Sequence, residues 1–304
     1  MKISVILTTY NRGGTFLRQA IQSVVDQTYK DWELIIFDNY STDNTDDVVK
    51  EFSMHDIKYI KLQNNGIIAK SRNAAIKVAK GEYIALIDSD DFWEANKLEE
   101  SYKHLSQKKY DGFCHAENWL FDDGKKMVVK YGPEEKFLFD NLLTNGNCLS
   151  PSATVIKRDV LDEVGGYSED KKFITAEDYD LWLKISKKGY KIVFSERVLG
   201  SFRVHSGAES YDIIRNTNAA SKVIESHFKD SSLGEQDLRK ALSNYWIIAG
   251  KTCQIRGKYY SSLKMYFKSN KIKVSFKSCF LIFSLLIPHI IFIFIYNLIK
   301  SRKK

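Results

Sequence analysis

Residues 81–93 read GEYIALIDSDDFW. Tyr83 to Ile87 form an unbroken apolar run that ends abruptly in Asp88, Ser89, Asp90 and Asp91. A short apolar run bounded by turn residues is the pattern of a strand buried on both faces. Three carboxylates at the mouth of such a strand call for a cation, and hard divalent ions favour carboxylate oxygens. Mg2+ held by one or two carboxylates takes its remaining ligands from water and substrate phosphates. Asp88-Ser89-Asp90 therefore suggests a metal that bridges the protein to a nucleotide diphosphate. A turn whose aspartates cap the stretch Glu94-Ala95-Asn96-Lys97 fits the same spacing. On spacing alone both readings stay open.

On either side of this stretch, short apolar runs alternate with helical patterns. Strands are expected at Ile3–Leu7, Glu33–Phe37, Ile57–Leu62 and Tyr83–Ile87. Between them, apolar residues at helical spacing mark helices over 15–27 (Leu17, Ala20, Ile21, Val24), 43–54 (Val48, Val49, Phe52) and 67–80 (Ile68, Ala75, Ile76, Ala79). The alternation predicts an α/β fold with a Rossmann-like, mostly parallel sheet flanked by helices. In such sheets ligands bind beyond the carboxyl ends of the strands. Thr8-Thr9-Tyr10-Asn11, Asp38-Asn39-Tyr40-Ser41 and Asp88-Ser89-Asp90 all fall there, and their convergence favours a binding site over turn chemistry alone. In the helix over 67–80, Lys70 and Arg72 oppose the macrodipole of their own helix, whereas an incoming diphosphate would gain from both. Lys70 also fits a solvated helix face, and the planar fork of Arg72 suits phosphate oxygens better.

With those clusters in place, the chain resembles glycosyltransferase family 2, the inverting enzymes with the GT-A fold, of the kind that builds bacterial surface polysaccharides. The resemblance runs through SVILTTYNR at 4–12, WELIIFDNYSTDNT at 32–45, AKSRNAAIKVAKGEYIALIDSDD at 69–91, VGGY at 164–167 and AEDYDLWLKISKKGYKI at 176–192. It implies that Thr8, Tyr10 and Asp38 contact the nucleoside, with Asn39 and Ser89 beside them as nucleotide-sugar contacts. It further implies a diphosphate contact for Arg72, and a Mg2+ or Mn2+ site at Asp88 and Asp90. Many members carry a second aspartate where this chain has Asn39, which hydrogen-bonds a base or ribose but adds no charge. Residues 176–189 read as a helix that opens on Ala176-Glu177-Asp178. Acids in a first helical turn are stabilising by themselves, and the resemblance adds that Asp178 takes the proton of the acceptor hydroxyl, with Glu177 as the fallback. An Arg-x-His pattern at Arg203 and His205 is similar to one that related enzymes place near the diphosphate or metal, so His205 joins the candidate metal ligands.

Cys114, Cys148, Cys253 and Cys279 show no paired spacing, which indicates neither a zinc cluster nor a disulfide framework. No secretory signal pattern precedes the first strand, and a cytoplasmic catalytic part is expected. The net charge of +8 belongs to the C-terminal end: residues 251–304 hold 12 Lys or Arg and no Asp or Glu. No nucleic-acid recognition motif accompanies them. Residues 278–299, SCFLIFSLLIPHIIFIFIYNLI, are 22 consecutive uncharged positions with Lys277 before and Lys300 after them. As a helix they reach about 33 Å, enough to cover a hydrocarbon core of about 30 Å. The basic flanks on both sides and Pro288-His289 near the middle fit a re-entrant helix pair better than a straight span. The upstream basic stretch with Tyr259, Tyr260, Tyr266 and Phe267 suits an anionic leaflet.

Three regions are therefore expected. Residues 1–208 form a nucleotide-sugar-binding and catalytic domain, 209–270 a helical region, and 271–304 a basic, hydrophobic, membrane-associating tail at the cytoplasmic face. Residues 209–256 read as two helices, with Trp246, Ile247 and Ile248 packed onto the catalytic domain. The expected activity moves a sugar from a nucleotide sugar, UDP-linked, to a hydroxyl of a lipid-linked saccharide. A sugar-phosphate nucleotidyltransferase shares the sheet and metal but needs a longer Gly-rich loop than Asn11-Arg12-Gly13-Gly14-Thr15. A non-enzymatic, membrane-tethered saccharide-binding scaffold is the other alternative, and the retained Asp88, Asp90 and Asp178 argue against it.

Overall fold

A computed structural model describes residues 2–208, 211–255, 257–274 and 279–282. They fall into two compact units, one of residues up to 142 together with 147–211, the other of 143–146 together with 212 onward. The first unit is built on a nine-stranded sheet. Its opening strands are β1 (Ile3–Thr9), β2 (Trp32–Asp38), β3 (Ile57–Lys61) and β4 (Tyr83–Asp88). They overlap the four expected strands, and β1, β2 and β4 continue at their carboxyl ends into the polar clusters.

These runs are continuously apolar because both faces of the sheet are covered. Ile3, Val5 and Leu7 of β1, with Leu34 and Ile36 of β2 and Ala85 and Ile87 of β4, share a core with Leu17, Ala20, Ile21 and Val24 of the helix Thr15–Val25. Their alternates, Ile6, Ile35, Ile84 and Leu86, are also at most 2% exposed. Burial on both faces explains the missing period-two alternation.

Five further strands complete the sheet: β5 (Phe92–Trp93), β6 (Gly112–Phe121), β7 (Lys126–Val129), β8 (Thr154–Lys157) and β9 (Ile192–Val204). The order is β3-β2-β1-β4-β8-β6-β9-β5, with β7 paired to β6. The pairs β1/β2, β1/β4, β2/β3 and β6/β9 are parallel, whereas β4/β8, β5/β9, β6/β7 and β6/β8 are antiparallel. The sheet is thus α/β but mixed, which corrects the expectation of a mostly parallel one. Helices link the first four strands in turn, as their parallel pairing requires. Beyond Asp91 the chain also turns by hairpin, as at β6/β7, where Gly124 takes a left-handed φ of 79° and its N–H donates to the Phe121 carbonyl at 2.9 Å.

The second unit holds the helices Ile213–Phe228, Glu235–Ile255 and Tyr259–Ile272. Trp246 packs with Ala249 and Met265, and Ile247 with Tyr266 and Leu281, so both are buried inside this unit. Ile248 is 57% exposed, because successive residues of a helix point about 100° apart. Apart from 279–282, the apolar run 278–299 lies outside the described residues. Among the described residues no helix is long and apolar enough to cross a membrane.

Candidate active site

Parallel register brings the first three clusters together. Thr8 of β1 stands opposite Phe37 of β2 on one side and Asp88 of β4 on the other, and Thr9 stands opposite Asp38. Thr8, Asp38 and Asp88 therefore share one edge at the carboxyl ends of three adjacent strands. Asp38 is fully buried. Its carboxylate accepts the Ser41 N–H at 3.0 Å and the Tyr59 hydroxyl at 2.9 Å, and also the Ser41 hydroxyl. The Asn39 side-chain oxygen accepts the Asn64 N–H at 2.8 Å, tying this loop to the one ahead of the helix Ile68–Val78. Tyr10 and Tyr40 stand at the rim, each slightly more than half exposed. The hydroxyl of buried Thr9 has no hydrogen-bond partner among the described residues.

The Asp88–Asp91 stretch is a tight turn closed by the Asp91 N–H on the Asp88 carbonyl at 3.0 Å. Its carboxylates separate into three environments. Asp88 Oδ1 accepts Arg72 Nη2 at 2.8 Å. Asp90 Oδ2 lies 3.0 Å from His205 Nε2 and 3.8 Å from Arg12 Nη2. Asp91, 1% exposed, accepts the Ser152 hydroxyl at 2.6 Å and the Arg203 N–H at 3.0 Å. Burial, with Asp90 and Asp88 nearby, raises the Asp91 carboxyl well above the usual range. Ser152 Oγ also accepts the Asp88 N–H at 3.1 Å, so Asp91 and Ser152 brace the turn. Ser89, between the two outward acids, is 8% exposed.

Asp90 is paired with His205. Among the described residues no group of three or more His, Cys, Asp or Glu is placed to hold a metal ion, because Asp88 is turned to Arg72. A carboxylate and an imidazole 3.0 Å apart nevertheless fit a divalent cation that fills its shell from substrate phosphates and water. Arg12 and Arg203 flank this pair. Arg12 Nη2 donates to the Gly207 carbonyl at 2.9 Å. The Arg203 guanidinium is stacked between Phe16 and Phe92, 4.4 and 4.7 Å from the ring centroids, and donates to the Asp90 carbonyl. Arg12 had no role in the sequence-based expectations, and the preceding Asn11 takes a left-handed φ of 49°.

Asp178 stands in the first turn of the helix Glu177–Lys187. Its Oδ1 accepts the Tyr179 N–H at 2.8 Å and its Oδ2 accepts the Asn147 side-chain amide at 3.2 Å. Burial first, then the adjacent Glu177, pushes the Asp178 carboxyl up to about 7, against the opposing pull of Arg72. Glu177 is 7% exposed. Its Oε1 lies 3.3 Å from Arg72 Nη1 and its Oε2 accepts the Thr175 N–H at 2.9 Å. Both oxygens of Glu177 are therefore engaged within the chain, and the carboxyl of Asp178 is raised toward neutrality. Arg72, implied to meet a diphosphate, is itself only 5% exposed between Asp88 and Glu177.

Comparison with known proteins places this arrangement in context. The family model for glycosyl transferase family 2 matches residues 4–165. The chain is 31% identical over 234 residues to the Escherichia coli UDP-Glc:α-D-GlcNAc-diphosphoundecaprenol β-1,3-glucosyltransferase WfaP, a match spanning 75% of this chain and 89% of that protein. Among solved structures, S. aureus TarS 1–349 in complex with UDP-GlcNAc superposes with a TM-score of 0.67 at 19% identity, over 90% of this chain and 81% of that one. The mannosyltransferase PcManGT of Pyrobaculum calidifontis, solved with GDP-Man and Mn2+, gives a TM-score of 0.63 at 17% identity, over 95% and 82%. Both likenesses support the GT-A-like fold.

Proposed function

The chain belongs to glycosyl transferase family 2, and from that premise we propose that it transfers a sugar from a UDP-sugar, with inversion, to a hydroxyl of a lipid-linked saccharide in surface polysaccharide synthesis. One observation carries the reading. A rim of nucleotide-suited side chains, Thr8, Asp38 and Asp88, is joined through Arg72 to a helix whose Asp178 has the proton affinity of a base. WfaP is named for UDP-glucose and a diphosphoundecaprenol-linked acceptor, and TarS was solved with UDP-GlcNAc, which supports the uridine donor and the lipid-linked acceptor.

Thr8, Tyr10, Asp38 and Asn39 line the nucleoside side, and Ser89 lies between the acids that face the diphosphate. Asp178 removes the proton of the acceptor hydroxyl as its oxygen attacks the anomeric carbon from the face opposite the leaving group. The new glycosidic bond forms while the carbon–oxygen bond to the diphosphate breaks, and the electron pair departs with the nucleoside diphosphate. Asp90 and His205 would hold Mg2+ or Mn2+, which when bound would neutralise negative charge on the departing diphosphate. Arg12 and Arg203 add fixed positive charge on the same side. The C-terminal tail would attach the enzyme to the cytoplasmic face of the membrane, where an acceptor confined to the same plane is met at higher effective concentration.

The test is nucleotide release from a panel of nucleotide sugars, with and without Mn2+, for wild type, Asp90→Asn and Asp178→Asn. The reading expects UDP release that depends on metal, acceptor and both aspartates. Full turnover in Asp178→Asn would remove the base, and full metal-dependent turnover in Asp90→Asn would remove the metal assignment.

A further inference from the structure

Arg72 occupies an unusual place for a residue that meets a soluble ligand. It lies on the buried stripe of the helix Ile68–Val78, three residues after Ala69 and four before Ile76, and is 5% exposed. Its two terminal nitrogens hold carboxylates from distant parts of the chain, Nη2 on Asp88 at 2.8 Å and Nη1 on Glu177 at 3.3 Å. Its guanidinium also sits 5.3 Å from the Tyr167 ring centroid. The neighbouring Asn73 locks Tyr167 from both sides, giving a side-chain N–H to its carbonyl and accepting its backbone N–H, each at 2.9 Å. A planar fork reaches two carboxylates at once, which the point charge of a lysine does not.

The far side of the bridge is built with equal care. Glu177 uses its second oxygen on the N–H of Thr175, a β-branched residue held at a φ of 78°, a conformation that persists only where the surroundings over-determine it. Asp178 directly follows Glu177. From this geometry we propose that Arg72 is a positioning residue, a buried cation that ties Asp88 on the donor side to Glu177 and so fixes the helical turn on which Asp178 stands. This deepens the transferase reading and rests on it.

The charges around Asp178 agree. It is faced by Glu177, Asp88 and Arg72, and of these only Arg72 favours its ionised form, while burial, Glu177 and Asp88 oppose it. Loss of Arg72 therefore raises the proton affinity of Asp178, and loss of the Glu177 charge lowers it. These opposite signs make the role measurable.

The experiment measures kcat against pH and the Kd for UDP in wild type, Arg72→Gln, Arg72→Lys and Glu177→Gln, each first checked for a cooperative melt. Arg72→Gln should move the acid limb of the kcat profile up by about one pH unit or more, losing about tenfold at about pH 6 and recovering toward wild type at about pH 9. Arg72→Lys should fall between, and Glu177→Gln should move the limb down. The Kd for UDP should change by less than about threefold, since both terminal nitrogens of Arg72 are spent on carboxylates of the chain itself. A Kd weakened about tenfold or more with an unshifted limb would instead make Arg72 a direct phosphate contact and overturn the proposal. If Arg72→Gln fails to melt cooperatively, an unshifted limb in both Arg72→Lys and Glu177→Gln overturns it equally. A wild-type enzyme silent with every donor would sink the transferase reading, and the bridge would then be decided by the UDP affinities alone.

Discussion

At Asp178, burial and Glu177 lift the carboxyl to about 7, whereas Asp90 shares its oxygen with an imidazole at 3.0 Å. One side chain type thus takes on two characters through its surroundings. A base must be ionised to accept a proton, so kcat should fall below about pH 7 by roughly tenfold per pH unit and level off above it. Asp178→Asn abolishes that limb and should cost about 100- to 10,000-fold in kcat while leaving UDP affinity unchanged, as read by steady-state kinetics and calorimetry. His205→Ala leaves Asp90 as the single remaining donor of the pair. The Mn2+ concentration for half-maximal activity should rise about tenfold or more, with excess metal restoring part of the rate. A variant that saturates at the wild-type concentration would remove His205 from the metal shell. The residue whose partners sequence alone reveals least is Arg72. A cation early in a helix reads as phosphate-facing, and its partners Asp88 and Glu177 lie 16 and 105 residues away, beyond the reach of any local pattern.

Among the elements, the opening β-α units were legible because burial on both faces writes unbroken apolar runs, and their carboxyl ends carry Thr8, Asp38 and Asp88 into one line. The mixed half of the sheet was not legible. β6 includes His115, Glu117 and Asn118. Glu117 is buried and answered by the Tyr131 hydroxyl at 2.6 Å and the Ser150 hydroxyl at 3.3 Å, partners that no periodicity reveals. The opposite ends of the first strands carry a similar device. Glu33 of β2, 1% exposed, accepts the Ser4 hydroxyl of β1 at 2.7 Å, the Lys58 ammonium of β3 at 2.6 Å and the Lys80 N–H at 2.7 Å. Burial alone would raise its carboxyl, but these three donors hold it at about 2, against an ordinary 4.5. A depressed folded-state pKa contributes stability that is present above about 4.5 and lost as pH falls toward about 2. Glu33→Gln should therefore lower the unfolding free energy by about 2–3 kcal/mol at neutral pH, the gap closing as pH falls toward 2 in urea melts. A gap that is constant across that window would assign the effect to packing.

On the scale of the whole molecule, the question is what the basic C-terminal end does, and the helix Tyr259–Ile272 is its described part with exposed lysines and aromatic rings. The expectation grouped Tyr259, Tyr260, Tyr266 and Phe267 together, but Tyr266 is fully buried and its hydroxyl donates to Gln254 at 2.8 Å. Tyr260, Lys264, Phe267, Lys268 and Lys271 are exposed instead, at intervals of three and four residues that set them along one side of the helix. Tyr260 is 71% and Phe267 52% exposed, and Lys264 caps the Tyr260 ring at 4.5 Å. Aromatic rings interleaved with lysines suit an anionic leaflet, to which each basic residue near the surface adds about 1 kcal/mol. The apolar run 278–299 follows directly in the sequence. The full chain should therefore sediment with phosphatidylglycerol vesicles and much less with neutral phosphatidylcholine ones, and high salt should weaken but not abolish the association. Deleting 278–304 should release most of the protein at moderate salt, and adding Tyr260→Ser with Phe267→Ser should release the remainder. Equal binding to neutral and anionic vesicles would exclude the lysines from the contact. Undiminished binding after the deletion would place the anchor outside the tail.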